Sequence, residues 1–255
     1  MLVTFNGLVV REDKSDDYGK YITVLSDTYG RVFMSAKGVS SVKNKNAAAC
    51  RMFTFSEFVA YYRDGKYTLK SASPIGNYIK QNTSLEQLAL ASYIAEIADI
   101  FSRGESDTSV IMRNCINAIY IIYKNDRSRR IIKSVYELKM LCNAGYMPDV
   151  HSCAACGCDL NGDKGCYFCY VDGVLVCDKC NIDQSVKKIF ISAGCLNVMR
   201  HIINSDDSKA YAIRLPENTL QELYNVCQEF LLAQLEKKPD TLDYYNTIEE
   251  DNVKF

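Results

Sequence analysis

Two short cysteine motifs constrain this chain more than anything else in it. Cys153-Ala-Ala-Cys156 and Cys177-Asp-Lys-Cys180 stand 20 residues apart. Two cysteines separated by two residues on a tight turn can put both sulfurs on one cation, and two such turns complete a tetrahedron. This is the spacing of a four-thiolate zinc site. Gly157 follows the first pair, where a knuckle turn commonly needs a residue without a Cβ. Tyr167–Tyr170 and Val174–Val176, around Asp172-Gly173, read as the hairpin that joins the pairs. Four thiolates leave no open position for water, so the expected cofactor is one structural zinc ion. Its binding would supply much of the folding energy of a segment with little core of its own. Cys158, Cys166 and Cys169 could each replace one of the four ligands, and four cysteines also suit an iron–sulfur cluster. Cys50, Cys115, Cys142, Cys195 and Cys227 read as small buried hydrophobes.

The remainder sets the context for that site. A chain of 255 residues, 48% hydrophobic, can build two or three globular domains. A net charge of −1 gives no whole-chain signature of nucleic-acid binding. The charge is uneven, however. Residues 1–80 have twelve Lys/Arg against seven Asp/Glu, and residues 215–255 have three against nine. A basic front and an acidic end fit a polyanion held by the N-terminal part, although a solvated surface also fluctuates this way. No apolar run approaches the roughly 18–20 residues that span a bilayer, and the start lacks a signal-peptide pattern. The expectation is a cytoplasmic protein with no membrane partner, where twelve cysteines are not a disulfide framework.

Residues 1–75 read as five strands. Val3–Val10 is the first; Tyr21–Leu25 and Val32–Ala36 flank a turn at Asp27–Gly30; Phe53–Tyr62 and Tyr67–Ala72 flank Asp64-Gly65, a strong two-residue hairpin signal. A long connection from Lys37 to Arg51 separates the third and fourth strands. Five short strands with one long interruption suit a closed barrel of the OB type, and an SH3-like barrel explains the pattern nearly as well. From Thr83 the period becomes helical, with Thr83-x-x-Glu86 as a capping box. Stripes follow at Leu90–Phe101, Ile111–Ile122 and Ile131–Cys142, the last stopped by Gly145 and Pro148. A further apolar segment covers about 186–203, and a final helix runs from about Pro216 to Glu236. Residues 237–255 read as a polar, acidic, poorly ordered tail. The expected fold class is α+β: an OB-fold barrel at 1–80, an α-helical domain at 81–149 and 183–240, a four-cysteine zinc-binding insertion at 150–182 and an acidic tail at 241–255.

Three stretches carry a family resemblance: YITVLSDTYGRVFMSAKGVSSVK (21–43), YTLKSASPIGNY leading into LALASYIAEIAD (67–99), and YELKMLCNAGYMPDVHSCAACG (136–157) followed by GVLVCDKC (173–180). Gly145-Tyr146-Met147-Pro148 running into the first CxxCG is the most specific of these. The chain resembles the RecO family of bacterial recombination mediators over nearly its whole length. The resemblance implies an OB-fold, a helical domain and a zinc-binding insertion. It further implies binding to single- and double-stranded DNA, strand annealing, and work with RecR and single-strand-binding protein (SSB) to load RecA. No cofactor beyond zinc is implied, and the expected location is the nucleoid. The chain departs from the family at Val39-Ser40-Ser41-Val42, which dilutes a basic run, and at Cys169 and Asp172 before the second cysteine pair.

Candidate phosphate contacts are Arg31, Lys37, Lys43, Lys45 and Arg51, on the third strand or in the loop after it. OB-folds bind single strands with such a cationic track and stacked aromatics, for which Tyr29, Phe33, Tyr61, Tyr62 and Tyr67 are available. A second basic cluster is Lys124, Arg127, Arg129, Arg130 and Lys133, at a loop and helix start where the helix dipole does not call for cations. It could hold DNA or the acidic tail of SSB, or it could simply keep a loop soluble. No HExxH, P-loop or deaminase signature is present, so the expectation is a non-enzyme. An RNA-binding or transcription-associated zinc-ribbon/OB module is the alternative reading.

Overall fold

The alternation that begins at Leu2 builds a barrel. In the computed structural model its strands are β1 (Leu2–Lys14), β2 (Lys20–Ser26), β3 (Gly30–Ala36), β4 (Thr54–Arg63) and β5 (Lys66–Asn77). The structure describes residues 1–14, 19–41, 43–78, 83–105, 107–124, 127–160, 164–180 and 183–253, with side chains through 249. The expected boundaries at 80–81 and 182–183, and Val42 of the basic loop, touch positions outside the described residues.

The strands close in the order β1-β2-β3-β5-β4. Every pairing is antiparallel except β3 with β5, which run parallel at Met34–Tyr67 and Ser35–Thr68. This is the order of an OB-type barrel. β1 serves two neighbours: Leu2–Leu8 lie against β4 and Gly7–Lys14 against β2. Its register slips between Val9 and Arg11, so Val9 and Val10 are both buried, as a bulge allows. A Cβ on Gly7 would overlap Val24 Cγ1 and stand 2.6 Å from the Leu25 carbonyl oxygen, so β1 approaches β2 here only without a side chain. Phe5, Val24, Val32, Met34 and Phe58 fill the interior, with Phe5 stacked on Phe58 at 5.6 Å. Asp64 and Gly65 both have positive φ, 51° and 77°, the conformation of a type I′ hairpin turn.

The helices are α1 (Leu85–Phe101), α2 (Ser109–Lys124), α3 (Arg129–Asn143), α4 (Ala193–Asn204), the short α5 (Asp207–Ala210), α6 (Glu217–Gln234) and α7 (Asp240–Val253). The capping box of α1 is formed by Ser84 and Gln87, one residue later than the sequence suggests. α3 ends as expected: Tyr146 N–H donates to the Leu141 carbonyl at 2.8 Å and Gly145 N–H to the Cys142 carbonyl at 3.3 Å, with Gly145 at φ +89°. That is a Schellman motif, which satisfies carbonyls the helix leaves open.

The chain forms two compact units, Met1–Asn125 with Pro239–Phe255, and Asp126–Lys238. In the first, α1 packs against α2, α7 and β1. The expected helical domain is therefore divided, because α1 and α2 group with the barrel. Where the sequence reads as a poorly ordered tail, the structure has α7, with Leu242 and Tyr245 buried and Tyr245 stacked on Tyr93 at 6.2 Å. The second unit packs α3 against α6 and α4. It also holds a small sheet of β6 (Cys166–Cys169), β7 (Val174–Cys177) and β8 (Ile189–Ile191) in the order β7-β6-β8. Among the described residues no helix is long and apolar enough to cross a membrane.

Candidate metal centre and nucleic-acid interface

The cysteine site is built from one knuckle loop and one strand end. In the loop, Gly157 N–H donates to the Cys153 carbonyl at 2.8 Å, and Cys153 N–H donates to the Cys158 carbonyl at 2.9 Å. Gly157 takes φ +71°, the left-handed conformation that the turn requires. The hairpin β6–β7 brings Cys177 to the loop, where its N–H donates to the Cys153 sulfur at 3.3 Å. The turn after β7 then returns Cys180, whose N–H donates to the Cys177 carbonyl at 3.3 Å.

The result is four sulfurs, Cys153, Cys156, Cys177 and Cys180, all within 4.8 Å of one another. Neighbouring pairs lie 3.5 Å (Cys177–Cys180), 3.9 Å (Cys153–Cys180) and 3.9 Å (Cys156–Cys177) apart. Four thiolates around zinc at its usual bond length stand about 3.8 Å apart. The donor set therefore fits a tetrahedral thiophilic cation. Electrostatics agree with that fit. Burial raises the Cys153 thiol, but N–H groups of Cys177, Cys156 and Ala155 outweigh it and bring the pKa down to about 6. The Cys177 thiol is also lowered, first by the Lys179 N–H. Cys180 is pushed well up, first by the sulfur of Cys177 and then by that of Cys156. Thiolates crowded so closely repel one another, and a divalent cation removes that repulsion. Cys166 and Cys169 lie buried on β6 with thiols raised by burial, and the four-sulfur cluster forms without them.

On the barrel, Lys37, Lys43, Lys45 and Arg51 are all exposed in or at the end of the β3–β4 connection. Arg31 is different. Its Nε lies 2.7 Å from Oδ1 of the buried Asp99 on α1, so its charge is committed to the fold. Among the aromatics, Phe33 is 49% exposed and stacks face to face on Tyr21 of β2, at 5.3 Å with planes 8° apart. Sequence alone does not single out Tyr21. Its place diagonal to Phe33 follows from the β2–β3 register, Tyr21 opposite Ser35 and Thr23 opposite Phe33. Tyr61 is half-exposed with Lys70 Nζ 5.8 Å above its ring, whereas Tyr67 packs against Tyr62 and Phe5.

Comparison with known proteins follows the same division of the chain. The family model described as Recombination protein O N terminal matches residues 1–78, and that described as Recombination protein O C terminal matches residues 82–243. The chain belongs to the Recombination protein O (RecO) family. A DNA repair protein RecO from Acetivibrio thermocellus is 28% identical over 249 residues, 98% of this chain and 97% of the relative. The DNA repair protein RecO of Clostridium perfringens strain 13 is 24% identical, covering 98% and 99%. That of Symbiobacterium thermophilum is 22% identical, covering 97% and 98%.

In this RecO-family chain the second basic cluster spans the end of one helix and the start of the next. Lys124 ends α2 in the first unit, while Arg127, Arg129, Arg130 and Lys133 lie in the second. Lys133 is fully buried; its Nζ lies 2.7 Å from Glu137 Oε1, 3.0 Å from Gln228 Oε1 and 4.2 Å from the Tyr224 ring centroid. Arg130 donates to Glu217 and Gln221 and lies over the same ring. Burial removes Lys133 from reach of a nucleic acid, and α6 occupies Arg130. A sequence reading sees the charge but not the partners on α6, Glu217, Gln221 and Gln228, which stand 87 to 95 residues away.

Proposed function

We propose that this protein is a recombination mediator. It binds single- and double-stranded DNA, anneals complementary strands and, with RecR, helps load RecA onto single strands coated by SSB. The observation that carries this reading is the exposed Tyr21–Phe33 stack on a barrel of OB order, with β3 leading directly into a connection bearing four exposed cations. Bases stack on aromatic faces regardless of sequence, and lysines along the backbone displace condensed counterions. Lowering the repulsion between two strands is enough for annealing, so the protein acts without making or breaking bonds. Its place in this reading is the cytoplasm, on the nucleoid.

The metal in this reading is one zinc ion held by Cys153, Cys156, Cys177 and Cys180. It supplies structure: it fixes the knuckle loop to the β6–β7 hairpin. Lys37, Lys43, Lys45 and Arg51 make the phosphate contacts, while Arg31 steadies β3. Arg127 and Arg129 of the second cluster are assigned to DNA or to the acidic SSB tail.

The test is fluorescence anisotropy of a labelled single strand across a salt series, with DNA and RNA of equal sequence. The expected result is DNA binding that weakens steeply with salt. A strong preference for RNA would instead favour the RNA-binding or transcription-associated reading.

A further inference from the structure

The pairing of the barrel strands lines up one residue from each into a row around the outer wall. Tyr21 of β2 pairs with Ser35 of β3, Ser35 with Thr68 of β5, Thr68 with Tyr61 of β4, and Tyr61 with Leu2 of β1. Directly paired residues point to the same face of a sheet, so these side chains share one face. Tyr21, Tyr61 and Leu2 are exposed, and Ser35 and Thr68 are partly exposed. Phe33 stacks on Tyr21 at one end of the row. Towards the other end, Lys70 stands where the β4–β5 register slips, with its Nζ 5.8 Å from the centroid of the Tyr61 ring. Only the small hydroxyl side chains of Ser35 and Thr68 lie between the two aromatics. Neighbouring strands stand about 4.8 Å apart, so Tyr21 and Tyr61, three strand steps apart, are separated by about 14 Å along the wall. Cations flank the row on both sides. Because β3 and β5 run parallel here, Lys37 and Lys70 both follow it, while Lys66 and its partner Arg63 precede it, and all of them are exposed. Asp64, in the turn beside Arg63, lies 3.3 Å from it. Tyr62 and Tyr67 do not belong to the row: they pair with each other at 4.8 Å, and Tyr67 packs on the interior Phe5.

We propose that Tyr61 and Lys70 form a second base-stacking station, and that one single strand crosses the barrel wall from Tyr21–Phe33 over Ser35 and Thr68 to Tyr61. This rests on the DNA-binding reading above and gives the bound strand its route. Unpaired bases offer faces that aromatic rings can stack on, whereas a duplex keeps those faces covered, so separated aromatics between cations suit a single strand. Lys70 puts a positive charge beside the base at the second station, where the phosphate of that nucleotide lies. At a stacked rise of about 3.4 Å per nucleotide, the two stations are about four nucleotides apart. A strand shorter than that reaches one station, and a longer one reaches both.

The experiment is fluorescence anisotropy at low salt, with the full chain and labelled oligodeoxythymidylates of three and twelve nucleotides. Tyr61→Ala should weaken binding of the longer strand about tenfold, the loss of one stacked base, and that of the shorter strand by no more than about twofold. Tyr61→Phe, which keeps the ring, should bind both as wild type does. Thr68→Glu places a carboxylate on the route and should also weaken the longer strand about tenfold, which keeps the test open if Tyr61→Ala does not fold. Folded Tyr61→Ala and Thr68→Glu chains that bind the longer strand as tightly as wild type would overturn the inference. Equal losses on both lengths in Tyr61→Ala would overturn it too, because Tyr61 would then belong to a single short site. If Phe33→Ala weakens binding and Tyr61→Ala does not, the DNA reading stands and this route falls. A folded wild-type chain that binds neither strand would overturn the DNA reading itself, and the inference with it.

Discussion

The guanidinium of Arg31 on β3 donates through Nε to Oδ1 of Asp99 on α1 at 2.7 Å, and that carboxylate is almost wholly buried. Arg103 reaches the other oxygen, Oδ2, at 3.4 Å. Arg31 is thus the principal counter-ion of a buried charge. Replacing it with Ala should destabilise the first unit by about 3 kcal/mol, because a desolvated carboxylate is left with one long, exposed partner. Urea denaturation measures this. Arg31→Lys should recover only part of the loss, since an ammonium lacks the planar fork.

The exposed cations behave differently. Lys37, Lys43 and Lys45 lie in the β3–β4 connection. Replacing all three with Ala should leave stability within about 0.5 kcal/mol. The slope of log affinity for single-stranded DNA against log salt should become shallower by about 2, since each lost phosphate contact removes about 0.7. An unchanged slope would move the DNA contact away from this connection.

Glu96 caps a helix 144 residues further along the chain. Its Oε1 accepts from Asp240 N–H at 3.0 Å, and its Oε2 accepts from Thr241 N–H at 2.9 Å and Thr241 Oγ1 at 2.6 Å. A carboxylate at a helix N-terminus satisfies otherwise open N–H groups and complements the dipole. Glu96→Ala should destabilise the docking of α7 by about 1–2 kcal/mol. Hydrogen exchange should quicken over residues 241–249 and stay unchanged in β1–β5.

Removal of the metal should act on the second unit. A chelator, or Cys177→Ser, should lower the thermal stability of the segment from Cys153 to Cys180, because a metal on the four sulfurs reinforces a loop–hairpin junction that otherwise has only a few backbone bonds, such as Ala154 N–H to the Leu175 carbonyl, and a small apolar cluster. Proteolysis should then cut within 153–180 while the barrel stays intact. A Cys177→Ser protein that keeps full zinc content and protease resistance would contradict the ligand assignment.

Much of this structure was legible in the sequence because the deciding signals are local. The barrel strands follow from alternation and from Asp64-Gly65, whose positive φ values are those a type I′ turn needs. The four-sulfur cluster follows from two CxxC spacings. The α1 cap slipped by one residue because Thr83-Ser84 and Glu86-Gln87 offer two overlapping boxes, and backbone geometry chose the second. What stayed hidden depends on distant partners. The α7 segment is polar by composition, yet Leu242 and Tyr245, three apart, put one narrow stripe on α1, and Glu96 supplies a cap that no window of sequence contains. Lys133 looks like any solvated lysine until α6 brings Gln228 and Tyr224 to it. Tyr21 joins Phe33 only through the pairing of β2 with β3.

The most direct test of the central claim is annealing. Complementary oligonucleotides coated with the cognate single-strand-binding protein are mixed with and without this protein, and duplex formation is followed by fluorescence at rising salt. The account predicts acceleration that fades as salt rises and that drops in the Lys37, Lys43 and Lys45 triple variant. Failure of the folded, zinc-loaded protein to accelerate annealing at low salt would contradict it.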